Sequence, residues 1–211
     1  MVSEPVWGRP MIESGPRPNY SPFLIVPGFL TDRQCDRVMQ LGMSRGPEPA
    51  EVEELGGSEL VEGLRRSRTA WLAPEADTEW LYKKLATVAE RVNRQYRFDL
   101  SGFIEDIQFT VYEAPGGFYT WHQDGLDGAL GDRKLSIVVQ LSDPTTFRGG
   151  ELQFFEVVEG YDRNEMVEFS AQVAMRGTAV VFPAFEYHRV LPVVEGTRCS
   201  MVSWVSGPPF R

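Results

Sequence analysis

Phe118-Tyr119-Thr120-Trp121-His122-Gln123-Asp124 is the stretch on which the fold turns. Its aromatic and β-branched residues favour a strand, in which successive side chains point to opposite faces. His122 and Asp124, two positions apart, therefore aim the same way. Working outward, short runs rich in Val, Ile, Phe, Tyr and Thr recur on both sides, broken by Gly and Pro. They predict strands at 103–113, 118–124, 134–141, 151–155, 167–174, 178–182 and 198–205. Gly149-Gly150 and Arg176-Gly177 supply permissive backbone for turns before Glu151 and Thr178. In the run 134–141, Leu135, Ile137, Val139 and Leu141 share one face, expected to pack beneath helices, while Ser136, Val138 and Gln140 face the other way.

Upstream of this region the pattern is helical. Thr31 stands three residues before Gln34, the spacing of a capping box, and opens a predicted helix that presents Cys35, Val38 and Met39 and ends near Gly42. Ser67 to Leu72 reads as a strand. A second helix is predicted from about 77 to 96, with Leu81, Leu85, Val88 and Val92 at helical spacing. Five prolines among residues 1–22 suggest an extended arm. Six glutamates with four glycines and two prolines across 45–66 suggest a surface loop, or in a sharper reading a lid over a site. Many short strands with helices gathered toward the N-terminus indicate an α+β, mainly β molecule: a sandwich or open barrel backed by helices.

The 211 residues, 42% hydrophobic and 24% charged, fit one domain. A net charge of -9 argues against nucleic acid as the main partner, since neutralising phosphates requires a basic surface. No apolar run reaches the ~20 residues needed to cross a bilayer, and the N-terminus lacks the pattern of a signal peptide, so the expectation is a cytoplasmic protein with no membrane partner. Cys35 and Cys199 are then expected as reduced, packed thiols.

His122 and His188 are the two histidines in the chain. Two imidazoles and one carboxylate on one side of a metal match the ligand set of non-haem Fe(II) oxygenases, which leaves three coordination positions open. A His-x-Asp tripeptide alone is a weak signal, because a single histidine is commonly a hydrogen-bonded structural residue. Arg198 strengthens it. It lies in a predicted strand, and an interior guanidinium requires an anion, which a carboxylate ligand satisfies through two parallel charge-assisted hydrogen bonds. The plainer reading is a surface arginine paired with solvent or Glu195.

These residues and their surroundings resemble a known family. His122-x-Asp124, His188 and Arg198 match the iron and 2-oxoglutarate motif of the prolyl 4-hydroxylase-like dioxygenases. The match extends to Tyr112-Glu-Ala-Pro-Gly-Gly-Phe-Tyr119-Thr-Trp-His122, Lys134-Leu-Ser-Ile-Val-Val-Gln140-Leu-Ser-Asp-Pro144, Gly149-Gly-Glu-Leu152 and Gly177-Thr-Ala-Val-Val-Phe-Pro183. The chain is similar over about 103–207 to the bacterial PKHD-type members. The resemblance implies a double-stranded β-helix, or jelly roll, at 101–211, with residues 1–100 as arm and helical support on its outside. It implies His122, Asp124 and His188 as catalytic iron ligands, and Arg198, Tyr112 and Gln140 as contacts to 2-oxoglutarate. At the position of Gln140 many relatives carry a tyrosine. Trp204 is expected as a core wall and Trp121 as packing opposite the ligands.

The implied cofactors are Fe(II), 2-oxoglutarate as cosubstrate and dioxygen, with ascorbate a candidate reductant. The implied activity is hydroxylation of an unactivated C–H bond, on a peptidyl or free amino acid. Because Asp124 is retained, hydroxylation is favoured over halogenation, while desaturation and cyclisation use the same oxidant. The alternatives are a small-molecule natural-product tailoring oxygenase of the same fold and a non-catalytic metal-binding β-barrel module. Candidate substrate-facing segments are Gly125 to Arg133 and the acidic stretch 45–66; Arg68 reads either as a site residue or as half of a surface ion pair. Substrate identity and oligomeric state are not readable from the sequence.

Overall fold

The structure, a computed structural model, describes residues 20–50, 63–125 and 130–209. Most of the expected N-terminal arm, residues 51–62 of the acidic stretch and residues 126–129 of the glycine-containing loop lie outside the described residues.

In chain order the described elements are β1 (Leu24–Val26), α1 (Asp32–Ser44), β2 (Glu48–Pro49), β3 (Arg65–Arg66), β4 (Arg68–Leu72), α2 (Glu79–Tyr96), β5 (Ile107–Glu113), β6 (Phe118–His122) and β7 (Arg133–Gln140). They continue with β8 (Phe147–Gly149), β9 (Leu152–Phe154), α3 (Phe155–Gly160), α4 (Arg163–Ala174), β10 (Ala179–Pro183), β11 (His188–Val190) and β12 (Val193–Ser206). The strands form two sheets. The larger runs β1-β10-β7-β12-β5-β4-β2, with β8 added on β12, and the smaller runs β3-β6-β11-β9. Every pairing is antiparallel. This is the jelly-roll arrangement that the family resemblance implies, and it falls within the sandwich or open barrel that the strand pattern predicts.

Two cores hold the layers together. On the outer face of the large sheet, Leu135, Ile137 and Val139 of β7 and Leu141 just after it pack with Cys35 and Val38 of α1 and with Leu81, Leu85, Val88 and Val92 of α2. Both helices bury the faces that their spacing predicts. The capping box forms: the Gln34 amide N–H donates to the Thr31 hydroxyl at 3.3 Å and the Thr31 N–H donates to the Gln34 side chain at 3.0 Å. Between the sheets lies a second core of Tyr112, Val138, Leu152, Phe154, Phe182 and Val190, closed at one end by Phe169 and Val173 of α4. Cys35 and Cys199 are both buried free thiols. No helix among the described residues is long and apolar enough to cross a membrane.

One predicted strand is a helix. Residues 167–174 form the second half of α4, whose N-cap Asp162 accepts from the backbone of Asn164 and Glu165 while the Glu165 carboxylate accepts from the Asp162 N–H. Val167 and Phe169 mimic strand alternation, yet Val167 is exposed while Phe169 and Val173 are buried. The four-residue spacing of the buried pair is the helical signal, and the capping box upstream carries it. Two other differences are smaller. The strand expected at 103–113 begins at Ile107, and β12 starts at Val193 rather than 198.

Candidate active site

β6 and β11 are antiparallel neighbours with His122 directly opposite His188. The two imidazole centroids lie 4.1 Å apart, and Asp124 follows β6 within the same pocket. One ligand atom from each of His122, Asp124 and His188 lies within 4.8 Å of the others. His188 and Asp124 are buried and His122 nearly so.

Each side chain is held by a specific partner. His122 Nδ1 lies 2.8 Å from the carbonyl oxygen of Thr120, and His188 Nδ1 lies 2.9 Å from that of Glu186. A carbonyl only accepts, so both Nδ1 atoms carry the proton and both Nε2 lone pairs are free. Those Nε2 atoms sit 3.6 and 3.7 Å from the Asp124 carboxylate oxygens. The Ser136 hydroxyl, on the inward face of β7, donates to Asp124 Oδ2 at 2.6 Å. The Asp124 N–H donates to the Ala184 carbonyl at 2.9 Å, and Arg133 donates to the Asp124 carbonyl at 2.9 Å. Tyr119 stacks on His122, with ring centroids 3.5 Å apart.

The electrostatics suit a cation. Burial, reinforced by the neighbouring His122, lowers the His188 imidazole from its ordinary 6.5 to about 4, leaving it neutral and able to ligate at neutral pH. Burial alone would raise the Asp124 carboxyl, but the facing His188 and His122, once protonated in acid, and the Ser136 hydroxyl outweigh it and lower the value. Two imidazole nitrogens and a carboxylate oxygen converging in a buried pocket fit a divalent transition metal.

A cavity of about 930 Å³ opens from this cluster, with Tyr112, Leu152, Arg198 and Trp204 among its walls. Arg198 and Tyr112 are paired residues on neighbouring strands, the guanidinium carbon lying 5.4 Å from the ring centroid. Arg198 is 4% exposed, yet its one hydrogen-bond partner among the described residues is the Ser200 hydroxyl, at 3.4 Å, and no carboxylate pairs with it. The surface reading of this arginine does not hold, because Glu195 pairs with Arg148 instead. Gln140 is buried on the same inward face of β7 but sits outside the main cavity. Its amide donates to the Ser142 carbonyl at 3.1 Å, and it lines a smaller cavity of about 230 Å³ that shares Arg198 and Leu152 with the larger one. Arg68 forms an exposed two-point pair with Glu113 and belongs to the surface. The indole of Trp121 packs against Phe155 and beneath Arg189.

Several cavity residues escape a reading of the sequence in whole or in part. Arg65 is buried with its Nε on the Ser67 hydroxyl at 2.7 Å and its guanidinium over Tyr119. Arg133 is held by the Glu105 carboxylate and lies 3.8 Å over the Trp204 ring, whose buried Nε1 has no hydrogen-bond partner among the described residues. Strand parity flags Ser136 as inward-facing, and Arg133 closes the segment expected to face substrate, but nothing in the local pattern sets Arg65 apart from a surface arginine.

Comparison with known proteins agrees with this geometry. Residues 107–206 match the family model described as the 2OG-Fe(II) oxygenase superfamily. A PKHD-type hydroxylase of Picosynechococcus sp. is 34% identical over 104 residues, which is 48% of this chain and 42% of that protein. One of Maricaulis maris is 37% identical over 81 residues, 37% of this chain and 33% of that protein. The chain thus matches less than half the length of these relatives. Among solved structures, a Pseudomonas putida prolyl-4-hydroxylase aligns with a TM-score of 0.64 at 20% identity, covering 89% of this chain and 93% of the other. A Trichoplax adhaerens prolyl hydroxylase in complex with a hypoxia inducible factor peptide fragment aligns with a TM-score of 0.68 at 17% identity, covering 88% and 83%. At those identities the likeness is one of fold. Residues 107–206, which include His122, Asp124, His188 and Arg198, match the 2OG-Fe(II) oxygenase superfamily model and lie in a jelly roll of the same fold as these prolyl hydroxylase structures.

Proposed function

We propose that the protein is an Fe(II)- and 2-oxoglutarate-dependent hydroxylase that acts on an unactivated C–H bond of a peptidyl or free amino acid. The observation that carries this reading is the coincidence, in one cavity, of the His122, Asp124 and His188 cluster with a buried Arg198 that has no carboxylate partner among the described residues. Burying an unpaired guanidinium is costly, so a site that keeps one is built for an anion.

Iron with 2-oxoglutarate and dioxygen supplies the oxidation, yielding succinate, carbon dioxide and a hydroxylated carbon. The chain supplies the geometry. His122 and His188 offer Nε2 and Asp124 offers a carboxylate oxygen, each pre-oriented by its hydrogen bond to Thr120, Glu186 or Ser136. Arg198 takes the far carboxylate of the cosubstrate against the Tyr112 ring, and the apolar walls from Leu152 and Val138 limit water in the site. A peptide substrate is supported by the bound fragment named for the Trichoplax neighbour and by the breadth of the cavity. The test is succinate release from 2-oxoglutarate, with Fe(II) and air, across a panel of peptides and free amino acids. We expect release that requires both iron and 2-oxoglutarate and rises with a peptide or amino acid. Release that needs neither, or none with any combination, contradicts the reading.

A further inference from the structure

The smaller cavity behind Arg198 has no role in the reading above. It lies between the Gly149 to Leu152 segment and α4, with Ser170, Val173 and Ala174 on the helix side. Arg198 and Leu152 line it and the main cavity alike, so Arg198 borders both spaces. Two features keep the space open. Gln140 is folded back onto the Ser142 carbonyl and does not extend across it. Gly150 lies against the stem of Arg198 with a positive φ of 72°; a Cβ there would meet Arg198 Cδ at 2.9 Å and Val193 Cγ2 at 2.9 Å. A side chain at 150 would displace the arginine.

We infer that the cosubstrate site takes 2-oxo dicarboxylic acids longer than 2-oxoglutarate, with 2-oxoadipate the nearest, the added methylene passing Arg198 into the cavity of about 230 Å³. This rests on the proposed function and extends it to the choice of cosubstrate. A pocket closed behind its arginine rejects one extra methylene by roughly 10–200-fold. Here Val173 and Ala174 line the smaller cavity with apolar surface, and Arg198 borders both cavities.

The test is calorimetric titration of the Mn(II)-loaded protein with each acid in the absence of turnover. We expect 2-oxoadipate to bind within about threefold of 2-oxoglutarate. Ala174→Leu and, independently, Ser170→Leu fill the smaller cavity from a half-buried helix face. Each is expected to weaken 2-oxoadipate at least fivefold more than 2-oxoglutarate. Binding of 2-oxoglutarate alone in the parent protein overturns this inference and leaves the proposed function intact, as does an equal response of both acids to both substitutions. Binding of neither acid overturns the proposed function and this inference with it.

Discussion

His122 and His188 each tie one ring nitrogen to a backbone carbonyl and turn the other toward Asp124, so the tautomers are set before any metal arrives. His122→Ala and His188→Ala are expected to abolish iron-dependent turnover by removing a ligand; turnover near the parent rate in either contradicts the assignment. Ser136→Ala removes the hydroxyl that orients Asp124 and is expected to lower metal affinity roughly 10–100-fold, measured by competition with a chelating dye. Arg198→Ala is expected to raise the 2-oxoglutarate concentration needed for half-maximal turnover at least tenfold, with metal affinity unchanged. The clustering of His122, Asp124 and His188 was legible because histidine is scarce in this chain and because strand parity places residues i and i+2 on one side. Arg65 was not. Its burial follows from strand pairing across the fold, β3 on β6, which no local pattern encodes.

The elements were read best where two signals agreed. α1 has both a capping box and a buried stripe, and α2 has the stripe alone over eighteen residues; both appear as expected. At 167–174 the signals conflicted, and alternation at Val167 and Phe169 concealed a helix whose start lies upstream at Asp162. Asp162→Ala is expected to destabilise the protein by about 1 kcal/mol through loss of that cap, measured as a shift in urea midpoint. No shift would mean that α4 is held by Phe169 and Val173 alone. The turn after β6 offers a sharper test. A Cβ on Gly125 would meet the Leu130 carbonyl oxygen at 2.4 Å and Arg133 Cβ at 2.8 Å. Gly125→Ala therefore shifts the segment that anchors Asp124, and a loss of metal affinity is the expected outcome.

At the scale of the whole molecule, two sheets bring together residues far apart in sequence and bury their charges, which makes stability depend on pH. His188 has its folded value lowered from 6.5 to about 4, and the Asp124 value is lowered as well. For both groups the unfolded chain takes up protons more readily than the folded one. Their contribution is fully present above about pH 6.5 and is lost as pH falls through the His188 value and then that of Asp124. Urea midpoints of the metal-free protein are thus expected to fall between pH 6.5 and 4, and less steeply in His188→Asn; a flat profile in the parent protein contradicts the burial argument. The architecture was legible from strand spacing and turn glycines, whereas the strand order that seats β11 between β6 and β9 depends on long-range pairing. The central claim is that His122, Asp124 and His188 hold iron beside a 2-oxoglutarate held by Arg198. Anaerobic titration of the protein with Fe(II) and 2-oxoglutarate tests it most directly through the weak visible charge-transfer band of the chelate. A band that saturates in the parent protein and is absent in His122→Ala is the expected result; no band in folded parent protein, or a band that survives the substitution, contradicts iron ligation by this cluster.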